Sequence, residues 1–288
     1  MTICDILVPI RGDGKGEGVL DHALALARRF NAHLNVVHCR PRPQDMLPYG
    51  VYVPTAFRRQ VTSWATGLAD DEEMRLKSLF EEYCRRHDLA VVENSAAAPE
   101  DRVSASWEEA IGKQAAIVAV RGRLADLVAV AQPDRDLDLG RNTLETALLE
   151  TGRLVLLCPP TAVVSIGRHV AIGWDGNAEA ARAVAAAMSL LVAADQITVL
   201  SADTGTPVEL GPEDLRVYLA RHDGRAEVRT FRSRATEVAE GLLATAAEIG
   251  ADVLVIGAYG HSRRRELLMG GVTQHIIEQT RLPGLMIH

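Results

Sequence analysis

The sequence has 288 residues, of which 48% are hydrophobic and only 4% aromatic, and its formal net charge is −7. At roughly 100–200 residues per domain this length points to two domains, each with enough apolar residues for its own core. An acidic chain poor in aromatics lacks the basic footprint and the stacking surface that nucleic-acid binders use, so nucleic acid is not an expected partner.

Residues 4–9 read as a buried strand, followed by a loop holding Gly12, Gly14, Gly16 and Gly18. These glycines fit neither the dinucleotide fingerprint nor the Walker pattern, which needs Lys-Ser/Thr after its last glycine. Leu20, Leu24, Ala27 and Phe30 then recur at helical spacing, and residues 34–39 form a second strand. Strand, helix and strand joined by short connections make a βαβ unit, which implies a parallel sheet. Residues 41–52 read as a loop. A long helix covers the 70s and 80s, where Leu76, Leu79, Phe80 and Tyr83 form one stripe. A short strand is expected over 89–92, part of a helix over 107–112, short apolar runs over 115–120 and 126–131, a helix over 143–150 and a strand over 154–157.

The pattern restarts near His169, with strands expected over 170–174, 197–200, 226–230, 252–256 and 285–287. Helices are expected over 180–191, 213–221, around Val238, Leu242, Ala246 and Ile249, and from Val272. Residues 6–12 lie over 170–176, residues 126–130 over 252–256, and residues 150–154 over 278–282. Three matches in the same order are the mark of an internal repeat. The boundary falls in a linker over 159–167, dividing the chain into domains 1–162 and 163–288.

The four cysteines, Cys4, Cys39, Cys84 and Cys158, form no CxxC pair, and no basic stretch precedes the first apolar run. The expectation is a cytoplasmic protein with buried or incidental thiols. The longest nearly apolar stretch, 183–194, is shorter than the roughly 20 residues a membrane span needs, so no membrane is expected as a partner.

The segment that carries chemistry is Gly257-Ala258-Tyr259-Gly260, nine further residues, then Gly270-Gly271-Val272-Thr273. It follows an apolar strand and opens a helix. Ligands of open parallel sheets bind in the crevice at the carboxyl ends of the strands. Glycines there admit close backbone approach, and a helix start presents free N–H groups to phosphate. Asp175 ends the first strand of the same half, where a carboxylate can accept hydrogen bonds from an adenine amino group or a ribose hydroxyl. Arg263, Arg264 and Arg265 read either as phosphate contacts or as a solvated face. His261, beside Gly260, has no partner placed by sequence, and His275 and Trp174 read as structural. GxSxG, HExxH and clustered Cys/His ligand sets are absent from the sequence, leaving catalytic and metal readings without an anchor.

This segment resembles the nucleotide-binding signature of the universal stress protein family, and residues 170–176 resemble that family's first strand with its adenosine-contacting aspartate. The resemblance covers both halves. It implies two Rossmann-like α/β domains of the adenine nucleotide alpha hydrolase-like kind, each a five-stranded parallel sheet flanked by helices. It also implies ATP or a related adenine nucleotide as ligand, with or without Mg, at Asp175, Gly257, Gly260, Gly270, Gly271, Val272 and Thr273. The family pattern has Ser or Thr after the third glycine, where this chain has Gly271. In the first half Arg11 stands at the place of Asp175, Ala131 at that of Gly257, Asp134 at that of Gly260, and Asn142-Thr143 at that of Gly270-Gly271, so no family-type site is expected there. The family's dimers imply that residues 154–157 and 285–287 pair within the chain as a pseudo-dimer, with a further homodimer left open. The leading reading is a stress-response module that binds an adenine nucleotide and a protein partner. A structural or interaction protein without a nucleotide site, and a slow ATPase, stand as alternatives.

Overall fold

The computed structural model describes residues 2–40, 42, 55–93, 102–134, 140–205, 208–259 and 271–288. The first half runs β1 (Asp5–Ile10), α1 (Gly16–Phe30), β2 (His33–Arg40), α2 (Thr55–Arg86), β3 (Ala90–Val91), β4 (Ser104–Ile111), α3 (Gln114–Arg121), β5 (Leu127–Ala131), α4 (Arg141–Glu150) and β6 (Leu154–Cys158). The second runs β7 (His169–Gly173), α5 (Ala178–Ala186), α6 (Met188–Val192), β8 (Gln196–Asp203), α7 (Pro212–Ala220), β9 (Ala226–Arg232), α8 (Val238–Glu248), β10 (Val253–Gly257), α9 (Val272–Gln279) and β11 (Gly284–Ile287).

Among the described residues the strands form one sheet in the order β3-β4-β2-β1-β5-β6-β11-β10-β7-β8-β9. Every neighbouring pair is parallel except β6 and β11, which pair antiparallel with Leu156 opposite Leu285. The two last strands therefore do meet, and they fuse the halves into a continuous sheet. The first half has six strands rather than five: the short strand expected over 89–92 forms as the two-residue edge strand β3, and β4 is the added one.

Period-2 alternation sends side chains to opposite faces. Ile6 and Val8 join a core layer with Leu24 of α1, Phe80 of α2, Val184 of α5 and Leu215 of α7, while Leu7 joins the other layer with Val118 of α3, Leu148 of α4, Leu242 of α8 and Ile276 of α9. Burial on both faces explains why the strands read as nearly continuous apolar runs.

Two expectations are corrected. Residues 107–112 are not helical but belong to β4 and its end. Glu and Ala favour helix in isolation, yet β2 supplies parallel partners from His33 with Ser104 to Arg40 with Ile111. His33 adds cross-strand hydrogen bonds between its two ring nitrogens and the hydroxyls of Ser104 and Ser106, 2.8 Å each, one nitrogen donating and the other accepting in the neutral ring, and such pairing overrides local propensity. The helix expected over 180–191 is two helices, α5 and α6, meeting at Ala187, where ψ reaches 3°.

Candidate functional site

Three chain segments meet at the carboxyl ends of β7 and β10: the turn into α5, the end of β10, and the first turn of α9. Asp175 lies two residues past β7 and is exposed. Its Oδ1 accepts from the Asn177 backbone N–H at 3.0 Å and its Oδ2 from the Asn177 amide at 2.8 Å. This Asx-type turn runs through Gly176 in the left-handed region, φ +77°. The carboxylate is thus fixed in place by its own turn, with oxygen lone pairs left on the solvent side.

Beside it, the Trp174 indole is buried and its Nε1–H donates to the Leu210 carbonyl at 3.0 Å. A Cβ on Gly176 would lie 2.8 Å from the same carbonyl and 2.7 Å from Val208. The segment before α7 is therefore strapped over the end of β7, with Val208 and Leu210 themselves exposed. Sequence reasoning treated Trp174 as a packing residue and missed this strap. No local signal exposes it, because its acceptor is a backbone carbonyl 36 residues away.

Gly257 has a packing reason to be glycine. A Cβ there would lie 2.5 Å from the Glu179 carbonyl carbon and 2.6 Å from the Ala180 nitrogen. The first turn of α5 packs directly on the end of β10 and leaves no room for a side chain at this position. Tyr259 follows in the left-handed region at φ +58°, and its N–H points to the Thr273 hydroxyl at 3.4 Å. Thr273 is buried in the first turn of α9. Gly271 is the N-cap of α9 with no side-chain cap, Val272 is 40% exposed, and the first N–H groups of a helix have no intrahelical acceptor. Gly260 and Gly270, with His261 and Arg263, Arg264 and Arg265, lie outside the described residues. Among the described residues no group of three or more His, Cys, Asp or Glu side chains is arranged to hold a metal ion. No described helix is long and apolar enough to cross a membrane.

The equivalent crevice of the first half is filled from within. Arg11 is paired with Asp13 at 2.7 Å. Lys15 donates to the Gln132 carbonyl at 3.2 Å and faces Asp134 at 3.8 Å. What remains beside Arg11, Lys15, Gly140 and Thr143 is a space of about 30 Å³, room for a water. A larger cavity of about 300 Å³ lies between α4 and α9, walled by Leu144 and Ile277 and bridged by Arg141 and Glu278 at 3.4 Å. The cysteines are all free. Burial pushes the Cys84 thiol up to about 11 and the Cys39 thiol to about 12, so both are inert at neutral pH.

The model of the Universal stress protein family matches residues 167–288. No curated protein matches the chain. Over its whole length the chain is similar to the crystal structure of a universal stress protein from Archaeoglobus fulgidus, with a TM-score of 0.67, 13% identity and coverage of 98% of this chain and 95% of that one. It is also similar to a functionally unknown protein from Pseudomonas aeruginosa, TM-score 0.57, 18% identity, covering 99% and 92%. A putative universal stress protein from the same species gives a TM-score of 0.55 at 17% identity, covering 99% and 93%. Residues 167–288 thus belong to the universal stress protein family, and the chain shares the fold of that family's solved structures along both its halves.

Proposed function

We propose that the chain is a tandem module of two domains, 1–162 and 163–288, that binds ATP or a related adenine nucleotide in its second half and acts in a cytoplasmic stress response through a protein partner. The observation that carries the reading is the convergence of an oriented Asp175 carboxylate, the left-handed turn at Tyr259 and the uncapped start of α9 at one sheet edge. Asp175 suits the base and ribose end, since a carboxylate repels phosphate. The N–H groups of Val272 and Thr273 suit the phosphates, because a helix start attracts anions. Gly257 supports the site indirectly, by letting α5 seat beside it. Gly260 and Gly270 enter the proposal from their spacing alone. Mg is an optional companion of the phosphates. Among the described residues of the site no general base is positioned, which favours binding over turnover.

The interaction-protein reading keeps one specific support. Asp175 already has two donors from Asn177, and the strap at Leu210 covers the strand end beside it. Mass spectrometry of nucleotides released on denaturing the purified chain separates the readings. An adenine nucleotide released by the parent and lost in Asp175→Ala establishes binding. A parent that releases none and binds none on ATP titration leaves the interaction protein.

A further inference from the structure

His38, the sixth residue of β2, is 1% exposed, yet neither ring nitrogen has a hydrogen-bond partner. Buried polar groups are nearly always paired, so an imidazole left bare at both nitrogens is unusual. The ring stacks on Trp107 of β4, with centroids 5.8 Å apart and 26° between the planes. Charged groups face it from three elements. Burial holds the imidazole below its ordinary range, Glu72 on α2 and Glu109 on β4 pull the other way, and Arg40 on its own strand adds to the burial effect.

The same groups fasten α2 to the sheet. Arg40 donates to Glu73 and Glu109 at 3.2 Å each, and to Asp70. Glu73 shares a hydrogen bond with Glu109, which pushes the Glu73 carboxyl up. The Glu72 carboxylate fills the space that a Cβ on Gly12 would need, at the end of β1. One turn of α2, residues 70–73, is thereby seated on the ends of β1, β2 and β4. Three carboxylates, Asp70, Glu73 and Glu109, surround one guanidinium, and Glu72 lies on the same turn, so acidic groups outnumber the one cation beside the imidazole.

We infer that His38 is a proton-operated latch: on acidification it becomes a donor at both ring nitrogens, draws Glu109 from Arg40 and Glu72 from Gly12, and loosens the 70–73 turn of α2 from the sheet. The proton comes from solvent and no bond other than N–H is made. The sign follows from linkage. A base held below its unfolded value contributes stability that is present above that value and lost as the pH falls toward the folded one. Acid therefore weakens the seat of α2.

The test uses the full chain carrying Trp64→Phe and Trp174→Phe, which leaves Trp107 as the one emitter of the three tryptophans. Imidazolium quenches a stacked indole. Emission is expected to fall as the pH drops through a midpoint below 6.5, the ordinary histidine value. His38→Gln abolishes the transition, and Glu72→Gln moves it to lower pH by a few tenths of a unit, since a charge favouring the proton is gone. Amide exchange over residues 70–84, corrected for its intrinsic pH dependence, accelerates through the same midpoint. A flat titration between about pH 4 and pH 8, a transition that survives His38→Gln, or exchange that does not follow the emission overturns the inference. Should His38→Gln fail to fold, Glu72→Gln decides alone, and a midpoint equal to the parent's overturns it.

Discussion

Asp126 and Asp252 occupy matching places in the two halves and do the same work: each carboxylate, at the start of the fourth long strand of its half, ties down the chain entering the first. Asp126 Oδ2 accepts from the backbone N–H groups of Cys4 at 2.7 Å and Asp5 at 3.0 Å. Asp252 accepts from Gly167 and Arg168 at 2.9 Å each, from His169 at 3.3 Å and from the Ser165 hydroxyl at 3.3 Å. Hydrogen bonds to charged groups contribute about 1.5–3 kcal/mol, and buried donors left without a partner add to the loss. Asp252→Ala is expected to cost about 2–4 kcal/mol in urea unfolding. Asp126→Ala should cost less, because it has fewer donors to orphan and its removal relieves Asp5.

Asp5 makes that relief measurable. Burial, and then the Asp126 charge, push its carboxyl up from 3.8 to about 6. A carboxyl raised on folding holds its proton longer in the native state, so stability falls as the pH rises from the unfolded value through the folded one. Asp5→Asn should flatten this slope and stabilise the chain at pH 7 by about 1 kcal/mol, after allowance for solvent screening. Denaturation midpoints measured below and above that window check it; an unchanged slope refutes the assignment.

Gly257→Ala tests the contact between α5 and β10. The added methyl would meet the backbone of Glu179 and Ala180 at 2.5–2.6 Å. Backbone cannot rotate away as a side chain can, so overpacking of about 1–3 kcal/mol is expected. Thermal unfolding reads it directly.

Trp174→Phe removes the indole N–H that holds Leu210 while keeping most of the ring's bulk. The expected cost is about 1 kcal/mol, with faster amide exchange over 208–211. Under the proposed function the freed strap also changes nucleotide affinity, and equal affinity in the two proteins would remove the strap from the site.

Leu156→Ala probes the junction of the halves. Leu156 is fully buried opposite Leu285 where the sheet turns antiparallel. A loss of about 2–5 kcal/mol is expected. Because the core layers run across both halves, unfolding should remain a single transition, which calorimetry can verify.

How much was legible follows from the range of each interaction. The βαβ units and the strand cores were readable because apolar periodicity is local. Residues 107–112 misled because Glu108, Glu109 and Ala110 prefer helix until β2 is alongside. The spacing of Gly257, Tyr259 and Thr273 located a strand end and a helix start that lie in contact, but not that α5 packs on Gly257.

By itself, then, the sequence determined most of the strands and helices, β4 excepted, since these rest on periodicity within a few turns of chain. Tertiary structure alone decided that β4 lies beside β2, that Leu210 reaches over Trp174, and that His38 is sealed among carboxylates beneath α2. Each of these depends on partners brought together from distant parts of the chain, where burial changes what a side chain's charge and hydrogen-bonding capacity cost.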